Sequence, residues 1–543
     1  MLSTLETMKP FLVLSAPIIL WLIGLTSSKA ANAKPKLMAH LNSAGIWIAF
    51  ACATLAGIAH LFGEVVTVTL FSFELPGNIG NFTLSTYING STVIMLMLVS
   101  FVGVVVSRYS YNYLDGDPNQ GRFHKWLCLT LASILTLIVS GNLMMFLLAW
   151  ISMSLCLHQL LMFYHDRPGA LVASHKKFIA SRIGDLSLLI AVLLIGSSLH
   201  TLELNEIFDI VANSTQPLPG GVAAAAWFIV ISAALKSAQF PFHGWIIQVM
   251  EAPTPVSALL HAGIVNAGAF LIIRMSPIMA QSNMALDVLA LIGLVTLGLA
   301  SLSMLTQTSI KVSLAWSTIA QMGFMLLECG LGLYSLAMLH LVAHSLYKAH
   351  AFLASGSGVD YFRAPAIKLE GSTISAKHWF GALAVSAVIS VIVGALFGID
   401  ISHEPALIAT GVIVAIAMSQ LIIQSASIME TKYFLLIALA KTTAVCIAYY
   451  ALHIVFEHAI ADSVILPSKT EGSLQLVIIA LIIAYFFALL MLQHAFRTSK
   501  AKWRENFYVH LYNGLYIDVL ITRISNKIWP APSPEENTSG AKS

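Results

Sequence analysis

Three titratable side chains lie on one face of an apolar helix in the second half of the chain. The segment 333–354 reads LYSLAMLHLVAHSLYKAHAFLA and carries His340, His344 and Lys348, which we call the histidine row. At 100° per residue they lie at about 0°, 40° and 80° and span about 12 Å. Because histidine titrates near neutral pH, this spacing is typical of stepwise proton transfer.

Two other interpretations of the histidine row were weighed. His340 and His344 have the i, i+4 spacing of a zinc pair, but the sequence between them is LVA and lacks the glutamate of HExxH. Both histidines could also form a purely structural polar seam, bonded to neighbouring helices. We predict a proton relay and no metal site in this chain.

A second group of ionisable residues surrounds an expected break in an apolar helix. Lys236 is followed by Pro241 in the segment KSAQFPFHGW. Proline frees the carbonyl four residues earlier, at Ser237, so the helix should be interrupted beside the lysine. Arg182 and Asp185, in SRIGDLS, are one turn apart and predict an ion pair. A carboxylate that approaches or leaves Lys236 would control its charge.

Two further residues complete the predicted pathway. His261 lies in EAPTPVSALLHAG, just inside the helix that follows the expected break. Lys311 begins the segment 310–330, where it could equally be a cation that anchors a helix end at the membrane surface.

The composition shows what kind of element must hold these residues. Of 543 residues, 58% are hydrophobic and only 10% are charged, with a mean hydropathy of +0.84. A soluble domain has about 25% charged residues, and a bilayer span needs about 20 apolar ones. The chain therefore predicts an all-α polytopic membrane protein surrounded by lipid. The composition excludes a secreted enzyme, a disordered scaffold and a nucleic-acid-binding domain.

Length and hydropathy predict about 15 spans. They lie near 9–27, 44–63, 90–108, 125–140, 142–163, 177–197, 222–246, 255–276, 288–305, 310–330, 333–354, 380–398, 405–425, 432–455 and 474–494.

The charges of the connecting loops predict the orientation of the chain. Every second loop is basic. Examples are the loop that contains Lys29 and Lys36 and the tail from Arg497 to Lys527, whereas the loops between them are mainly acidic. The positive-inside rule then places the N-terminus outside and the C-terminus in the cytoplasm.

The chain ends in a tail of two parts. Residues 497–530 predict an amphipathic helix that lies at the interface or docks a partner, because apolar residues recur there at helical spacing between polar and basic ones. Residues 531–543 are rich in proline, serine and charge, and we expect them to be disordered.

Several segments together resemble the antiporter-like, proton-conducting membrane subunits of respiratory complex I and of Mrp antiporters. They are SRIGDLS at 181–187, KSAQFPFHGWIIQVMEAPTPVSALLHAG at 236–263, and IKVSLAWSTIAQMGFM with HLVAHSLYKAHAFLASG within 310–356. The resemblance covers roughly 90–425 and implies two inverted five-helix repeats, 125–276 and 285–425, each with a broken helix. They would lie between N-terminal helices (1–124) and C-terminal helices (426–496).

The resemblance also implies roles for particular residues. Lys236 and the histidine row match the proton-path positions of the family. In complex I and Mrp subunits a glutamate that follows a tryptophan pairs with the buried lysine, but here Ile151 follows Trp150. The second predicted broken helix, 380–398, likewise has no lysine or glutamate of its own.

The ending YVHLYNGLYIDVLITRISNKIWP is similar to the tail of a narrower branch, the DabB-type subunits of bacterial inorganic-carbon transporters. That resemblance implies residence in the bacterial inner membrane and a large zinc-containing cytoplasmic partner of the DabA type. Zinc and CO₂ hydration would then belong to the partner, and this chain would be a transport subunit without a cofactor of its own. The alternative is a subunit of a redox-coupled proton pump or of a multi-subunit Na⁺/H⁺ antiporter.

Overall fold

The computed structural model describes residues 2–63, 65–164, 167–214, 219–357, 376–398, 406–426, 432–467, 473–498 and 502–530. Each of the fifteen predicted spans corresponds there to a helix or to an interrupted helix. Twelve helices within these ranges are long and apolar enough to cross a bilayer. The other three are the short apolar helix that ends at Lys236, the one with apolar core Leu476–Leu492, and the helix of the histidine row.

The described residues of the first half form nine helices and one hairpin. The elements are α1 Leu2–Gly24, α2 Ser28–Ala33, α3 Pro35–His60, β1 Val66–Glu74, β2 Asn81–Ile88, α4 Gly90–Tyr113, α5 Gln120–Val139, α6 Leu143–Leu161, α7 Pro168–Leu199, α8 Leu204–Asn213 and α9 Gly220–Lys236.

The described secondary structure of the second half is helical. The elements are α10 Gly244–Gln248, α11 Thr254–Leu259, α12 Ala267–Arg274, α13 Ser276–Met279, α14 Asn283–Met304, α15 Ile310–Gly330, α16 Tyr334–Leu353, α17 Ala376–Leu396, α18 Ala406–Ala426, α19 Lys432–Ile460, α20 Ser473–Thr498, α21 Lys502–Tyr512 and α22 Ile517–Ile528.

The connection between α5 and α6 is as short as the sequence predicts. Asn142 caps α6, because its side-chain oxygen accepts hydrogen bonds from the backbone N–H groups of Met144 and Met145, at 2.9 and 3.3 Å. Only Ser140, Gly141 and Asn142 thus separate the two helices.

The interrupted helix lies where Pro241 stands in the sequence. Helix α9 ends at Lys236, Pro241 lies in the non-helical segment 237–243, and α10 begins at Gly244. The Ser237 carbonyl, which the proline leaves without a helical donor, accepts a 2.8 Å hydrogen bond from Gln239 Nε2. A side chain therefore satisfies the backbone at this buried break, as a low-dielectric environment requires.

The second interruption differs from the expectation. Helix α17 is continuous from Ala376 to Leu396, because its sequence contains no proline. The irregular element is instead a π-helical turn, Leu260–Ile264, between α11 and α12. The division into two five-helix repeats stays a prediction.

A β-hairpin lies between α3 and α4, where no span was predicted. Strands β1 and β2 pair antiparallel, with Val66 opposite Ile88 and Glu74 opposite Asn81. The β1 sequence VTVTLFSFE is rich in β-branched and aromatic residues, which favour strands. The hairpin packs against the α5–α6 connection, since Thr86 forms a bridge to Ser140.

The tail helices pack back onto other helices of the chain. Helix α22 contacts α7, and α21 lies against the end of α14, where the Tyr508 hydroxyl donates to the Thr306 carbonyl at 3.0 Å. Lys176 on α7 donates hydrogen bonds to both Asp518 carboxylate oxygens, at 2.7 and 3.0 Å. The Trp529 ring stacks on His175 with centroids 4.0 Å apart. The exposed apolar residues of α22, which include Val519, Leu520, Ile524 and Ile528, form a helical stripe. The segment 531–543, for which we expect disorder, lies outside the described residues.

Candidate functional site

The first cluster is formed by α6, α7 and the end of α9. Arg182 Nη2 lies 2.5 Å from Asp185 Oδ2, so the predicted ion pair is present. Lys236 ends α9, where the helix dipole favours a cation. The carboxylate of Asp185 interacts electrostatically with the Lys236 ammonium. The structure thus brings together three of the predicted residues.

An aromatic ring packs against the ammonium of Lys236. Lys236 Nζ is 4.3 Å from the ring centroid of Trp150, in cation–π geometry. Lys236 Nζ has no hydrogen-bond partner, although the residue is buried. Ile151 packs at the edge of the apolar core. The negative charge next to Lys236 therefore comes from Asp185 on α7 and not from α6.

Lys177 belongs to this cluster and was missed in the sequence. Its ammonium is buried and donates to the Ser154 carbonyl at 2.7 Å and to Ser154 Oγ at 2.9 Å. It interacts electrostatically with both Lys236 and Asp185. In sequence Lys177 is one of two adjacent lysines at the start of a span, a pattern that also marks a cation at the membrane surface. No signal separated the two roles.

The second cluster is the histidine row on α16 with its partners on α15. His340 Nδ1 is 2.9 Å from Glu328 Oε2, and His340 Nε2 is 2.6 Å from Gln321 Oε1. Two acceptor oxygens thus flank the ring, which suits an imidazolium that donates from both nitrogens. The sequence analysis predicted His340 but not these two partners.

The other two residues of the row follow at one-turn intervals. The rings of His340 and His344 have centroids 6.4 Å apart. His344 is buried, and neither of its ring nitrogens has a hydrogen-bond partner. Lys348 is also buried, and its Nζ donates to the Leu314 carbonyl at 3.2 Å. The predicted face is therefore a continuous line of ionisable groups inside the protein.

His261 joins this row from the π-helical turn. Its Nδ1 lies 3.0 Å from Thr318 Oγ1, its ring stacks on Phe352, and its Nε2 is unpartnered. It interacts electrostatically with Lys348. An Asn266 to Ser345 hydrogen bond of 2.7 Å fixes this part of the chain to α16. Four predicted residues thus form one cluster.

Lys311 is not brought into either cluster. Its Nζ donates to Thr254 Oγ1 at 3.0 Å, across the starts of α15 and α11. This contact ties together two helix ends next to the site. The interpretation of Lys311 as an anchor at the end of a span fits this position better than a place in the row.

The two clusters are joined through the interrupted helix. Ser237 Oγ donates to the Val265 carbonyl at 2.9 Å, which links the segment after Lys236 to the helix that carries His261. Among the described residues, no three His, Cys, Asp or Glu side chains lie close enough together to hold a metal ion. The arrangement presents amines, imidazoles and carboxylates that can bind and release protons.

Comparisons with known proteins identify the family and the fold. The family described as NADH:quinone oxidoreductase/Mrp antiporter, TM, matches residues 140–370. The family described as NADH-Ubiquinone oxidoreductase (complex I), chain 5 N-terminus, matches residues 77–124. The solved structure of the Mrp complex from Dietzia sp. DQ12-45-1b has a TM-score of 0.62 at 21% identity. It covers 94% of this chain and 58% of the Mrp chain, which shows a shared fold.

Two curated relatives match nearly the whole chain. The Probable inorganic carbon transporter subunit DabB2 of Halothiobacillus neapolitanus is 44% identical, over 96% of this chain and 94% of the relative. The Probable inorganic carbon transporter subunit DabB of Hydrogenovibrio crunogenus is 35% identical, over 96% of this chain and 95% of the relative. The chain therefore belongs to the antiporter-like family of NADH:quinone oxidoreductase and Mrp membrane subunits and, within it, to the group of DabB subunits.

Proposed function

We propose that this chain is the cation-conducting membrane subunit of an energy-coupled inorganic-carbon transporter, and that the cation is H⁺. The observation that carries the proposal is the pair of buried ionisable clusters on either side of an interrupted helix. Ionisable residues inside a bilayer usually line an ion or proton path, and broken helices lie at the ion sites of many transporters. The antiporter-like family supplies the reaction class.

The chain itself acts as a multi-pass transport subunit of a larger complex. In our proposal, CO₂ hydration takes place in a large zinc-containing cytoplasmic subunit of the DabA type, and cation flow through this chain makes the hydration one-way. The name of the relatives and the similar tail support this partner. The zinc would belong to that partner, and this chain would need no cofactor.

The proposed orientation follows from the loop charges. Basic loops face the cytoplasm in most multi-pass proteins, which would put the N-terminus outside and the C-terminus inside the bacterial inner membrane. The tail helices α21 and α22 would then lie on the cytoplasmic side. They would therefore be available to a cytoplasmic partner.

The proposed pathway uses both clusters. Lys236 would bind or release its proton as the distances of Asp185 and Arg182 from its amine change. The carboxylate favours the protonated amine, and the guanidinium opposes it. The row His261, Lys348, His344 and His340 would then carry the proton through α16 toward Glu328. Each of these steps moves a proton between a nitrogen and an oxygen or another nitrogen, with no covalent intermediate.

The test is reconstitution of the complex that copurifies with the tagged chain from native membranes. We expect a large zinc-containing protein in the preparation and proton uptake into vesicles, reported by a trapped pH-sensitive dye. Lys236→Ala should reduce uptake to background while the complex still assembles, because it removes the carrier but little packing volume. Lys36→Ala is the matched control, since Lys36 is an exposed lysine in the first turn of α3, outside the predicted spans.

Two results would contradict the proposal. Wild-type uptake by the Lys236→Ala complex would remove this lysine from the path. Copurification of small membrane subunits, or of proteins that carry iron–sulfur clusters and flavin, would support the alternative of an antiporter or redox-pump subunit.

A further inference from the structure

A histidine outside the predicted pathway lies on the side of the interrupted helix that faces the tail helices α21 and α22, which we call the tail side. His243 directly precedes α10, in the sequence FPFHGW. Its ring stacks on Phe240 with centroids 3.8 Å apart and packs at 5.2 Å from the ring of Trp316 on α15. The side chain is fully buried. Aromatic packing therefore holds the ring between the non-helical segment 237–243 and helix α15.

Neither ring nitrogen of His243 makes a hydrogen bond of good geometry, although the Pro241 carbonyl interacts with the ring. Buried polar atoms almost always have partners, so each exception needs an explanation. The same short segment contains three further buried polar atoms without partners: Gln239 Oε1, Trp245 Nε1 and Gln248 Oε1. Unpartnered polar atoms are thus concentrated between the end of α9 and the end of α10. This is the chemistry expected where an ion or proton enters from a hydrated region.

The tail covers this segment closely. A Cβ atom added to Gly514 would lie 3.9 Å from His243 Nε2 and 3.1 Å from the Trp316 ring. Gly244, the residue after His243, is covered so closely by Asp518 that a side chain there would collide with the carboxylate. Two glycines therefore allow the tail and the interrupted helix to touch.

The charged groups that face His243 come from two elements. Asp518 on α22 and Lys176 on α7 both interact electrostatically with it. Asp518 also accepts a 3.0 Å hydrogen bond from Gln248 Nε2 on α10. A carboxylate paired with a lysine thus lies next to the imidazole, on the side that faces the tail.

We propose that His243 is a further proton-carrying group of this chain, through which protons pass between the tail side and the Lys236 cluster. This inference rests on the proposed function. A proton that binds one ring nitrogen forms the imidazolium, and the imidazolium releases its other proton toward the segment that carries Lys236. One N–H bond forms and the other N–H bond breaks, so the ring becomes neutral again as the opposite tautomer. A flip of the ring between its two aromatic neighbours returns it to the first tautomer before the next proton arrives. The stacked rings of Phe240 and Trp316 keep both nitrogens in place during the transfer.

The experiment is chemical rescue of His243→Ala in the reconstituted complex. The substitution removes the imidazole from its slot between two aromatic rings, and we expect proton uptake to fall at least about tenfold, as for loss of a group that transfers protons. Added imidazole should restore uptake. Pyrazole, which has the same shape but is far less basic, should not. A ring needed only for packing would be rescued equally by both compounds, which would overturn the proposal.

Two reference variants keep the outcome interpretable. His124→Ala also removes a buried histidine, one that contacts Asn42 at 2.7 Å away from both clusters, and its uptake should stay at the wild-type rate. Lys236→Ala reports on the proposed function itself. If Lys236→Ala abolishes proton uptake while His243→Ala takes up protons at the wild-type rate, His243 is not a carrier and the proposed function stands. If the wild-type complex takes up no protons, the proposed function fails. If His243→Ala does not assemble, His243→Gln gives the same test, with a loss of uptake expected.

Discussion

At the scale of single residues, the environment of Lys236 explains how a lysine can be buried without the glutamate of its family. The Trp150 ring lies 4.3 Å from the ammonium, and Asp185 supplies the negative charge from the next helix. A cation–π contact requires little desolvation of the ring. Because the lysine makes no hydrogen bond there, none has to break when the ammonium releases its proton. The carboxylate that controls Lys236 is itself paired with Arg182. The charge on the lysine can therefore respond to the Arg182–Asp185 pair.

Glu328 gives the histidine row an acceptor at its end. We expect Glu328→Gln to slow proton uptake about ten- to hundredfold. A hydrogen bond to a charged group contributes about 1.5–3 kcal/mol, and about 1.4 kcal/mol corresponds to a tenfold change in rate. The loss should appear because His340 can no longer hold its second proton against a carboxylate. Uptake by vesicles that contain the variant complex measures it.

The control for this change is Glu457→Gln. Glu457 is exposed on α19 and lies outside both clusters, so its uptake should equal that of the wild type. Normal uptake by Glu328→Gln would show that the row does not end at this carboxylate.

The sequence predicted the residues of both clusters better than it predicted their partners. The angular spacing of His340, His344 and Lys348 is a local property of one helix, and the structure has them on one line, with His344 and Lys348 buried. The contacts of His340 with Gln321 and of Lys177 with Ser154 join different helices, and no local pattern specifies them. Ion pairs within one turn could be predicted, whereas pairs between helices could not.

At the scale of elements, the interrupted helix and the tail form one unit. The Lys176–Asp518 pair joins α7 to α22, and Gln248 joins α10 to the same carboxylate. Asp518 also lies in the first turn of α22, where the helix dipole favours an acidic residue. One side chain therefore both starts the tail helix and fixes it beside the break. A partner that displaces α22 would necessarily disturb the surroundings of His243.

Asp518→Asn should loosen the tail. Losing a charge-assisted hydrogen bond costs about 2 kcal/mol, which corresponds to about thirtyfold faster local opening. We expect this increase in amide hydrogen exchange within residues 502–530, with little change in α14 and α15. Hydrogen–deuterium exchange of the purified complex, followed by mass spectrometry, measures both regions.

A double-mutant cycle separates this contact from a general weakening of the tail. Lys176→Gln should have a similar effect, and the double variant should open little faster than either single one, because both changes remove the same pair. Glu505→Gln, at an exposed acid of α21, should leave exchange unchanged. Additive effects of Lys176→Gln and Asp518→Asn would mean that the pair does not hold the tail.

Element type could be predicted wherever hydropathy dominates. All fifteen spans were found from apolar length, yet the hairpin was missed because β1 is short and mostly exposed, so it produces no apolar run. The π-helical turn at His261 was missed for another reason. The sequence LHAGI carries no signal that separates a π-helical turn from a regular one. The difference lies in the backbone, where the Val265 N–H donates to the Leu260 carbonyl five residues earlier.

At the scale of the whole molecule, one carboxylate links the C-terminal helices to the N-terminal ones. Asp462, after α19, accepts hydrogen bonds from the backbone N–H of Gly90 at 3.1 Å and from Ser463 at 2.7 Å, and it lies 3.2 Å from His60 Nε2. Burial by itself would raise the pKa of Asp462, but the hydrogen bonds from His60, Ser463 and Gly90 outweigh it and hold the pKa below its usual value. The ionised form therefore stabilises the fold.

Asp462→Asn should lower the denaturation temperature of the complex at neutral pH. Because the folded pKa lies below the unfolded one, this contribution is fully present above about pH 4 and is lost as the pH falls through the folded pKa. The loss at pH 7 should be about 1–3 kcal/mol, as for hydrogen bonds to a charged group. The difference in denaturation temperature between variant and wild type should therefore shrink below about pH 4.

Asp209→Asn, at an exposed carboxylate of α8, should behave as the wild type throughout. A difference for Asp462→Asn that stays constant down to pH 3 would show that the shape of the side chain, and not its charge, joins these two parts of the molecule.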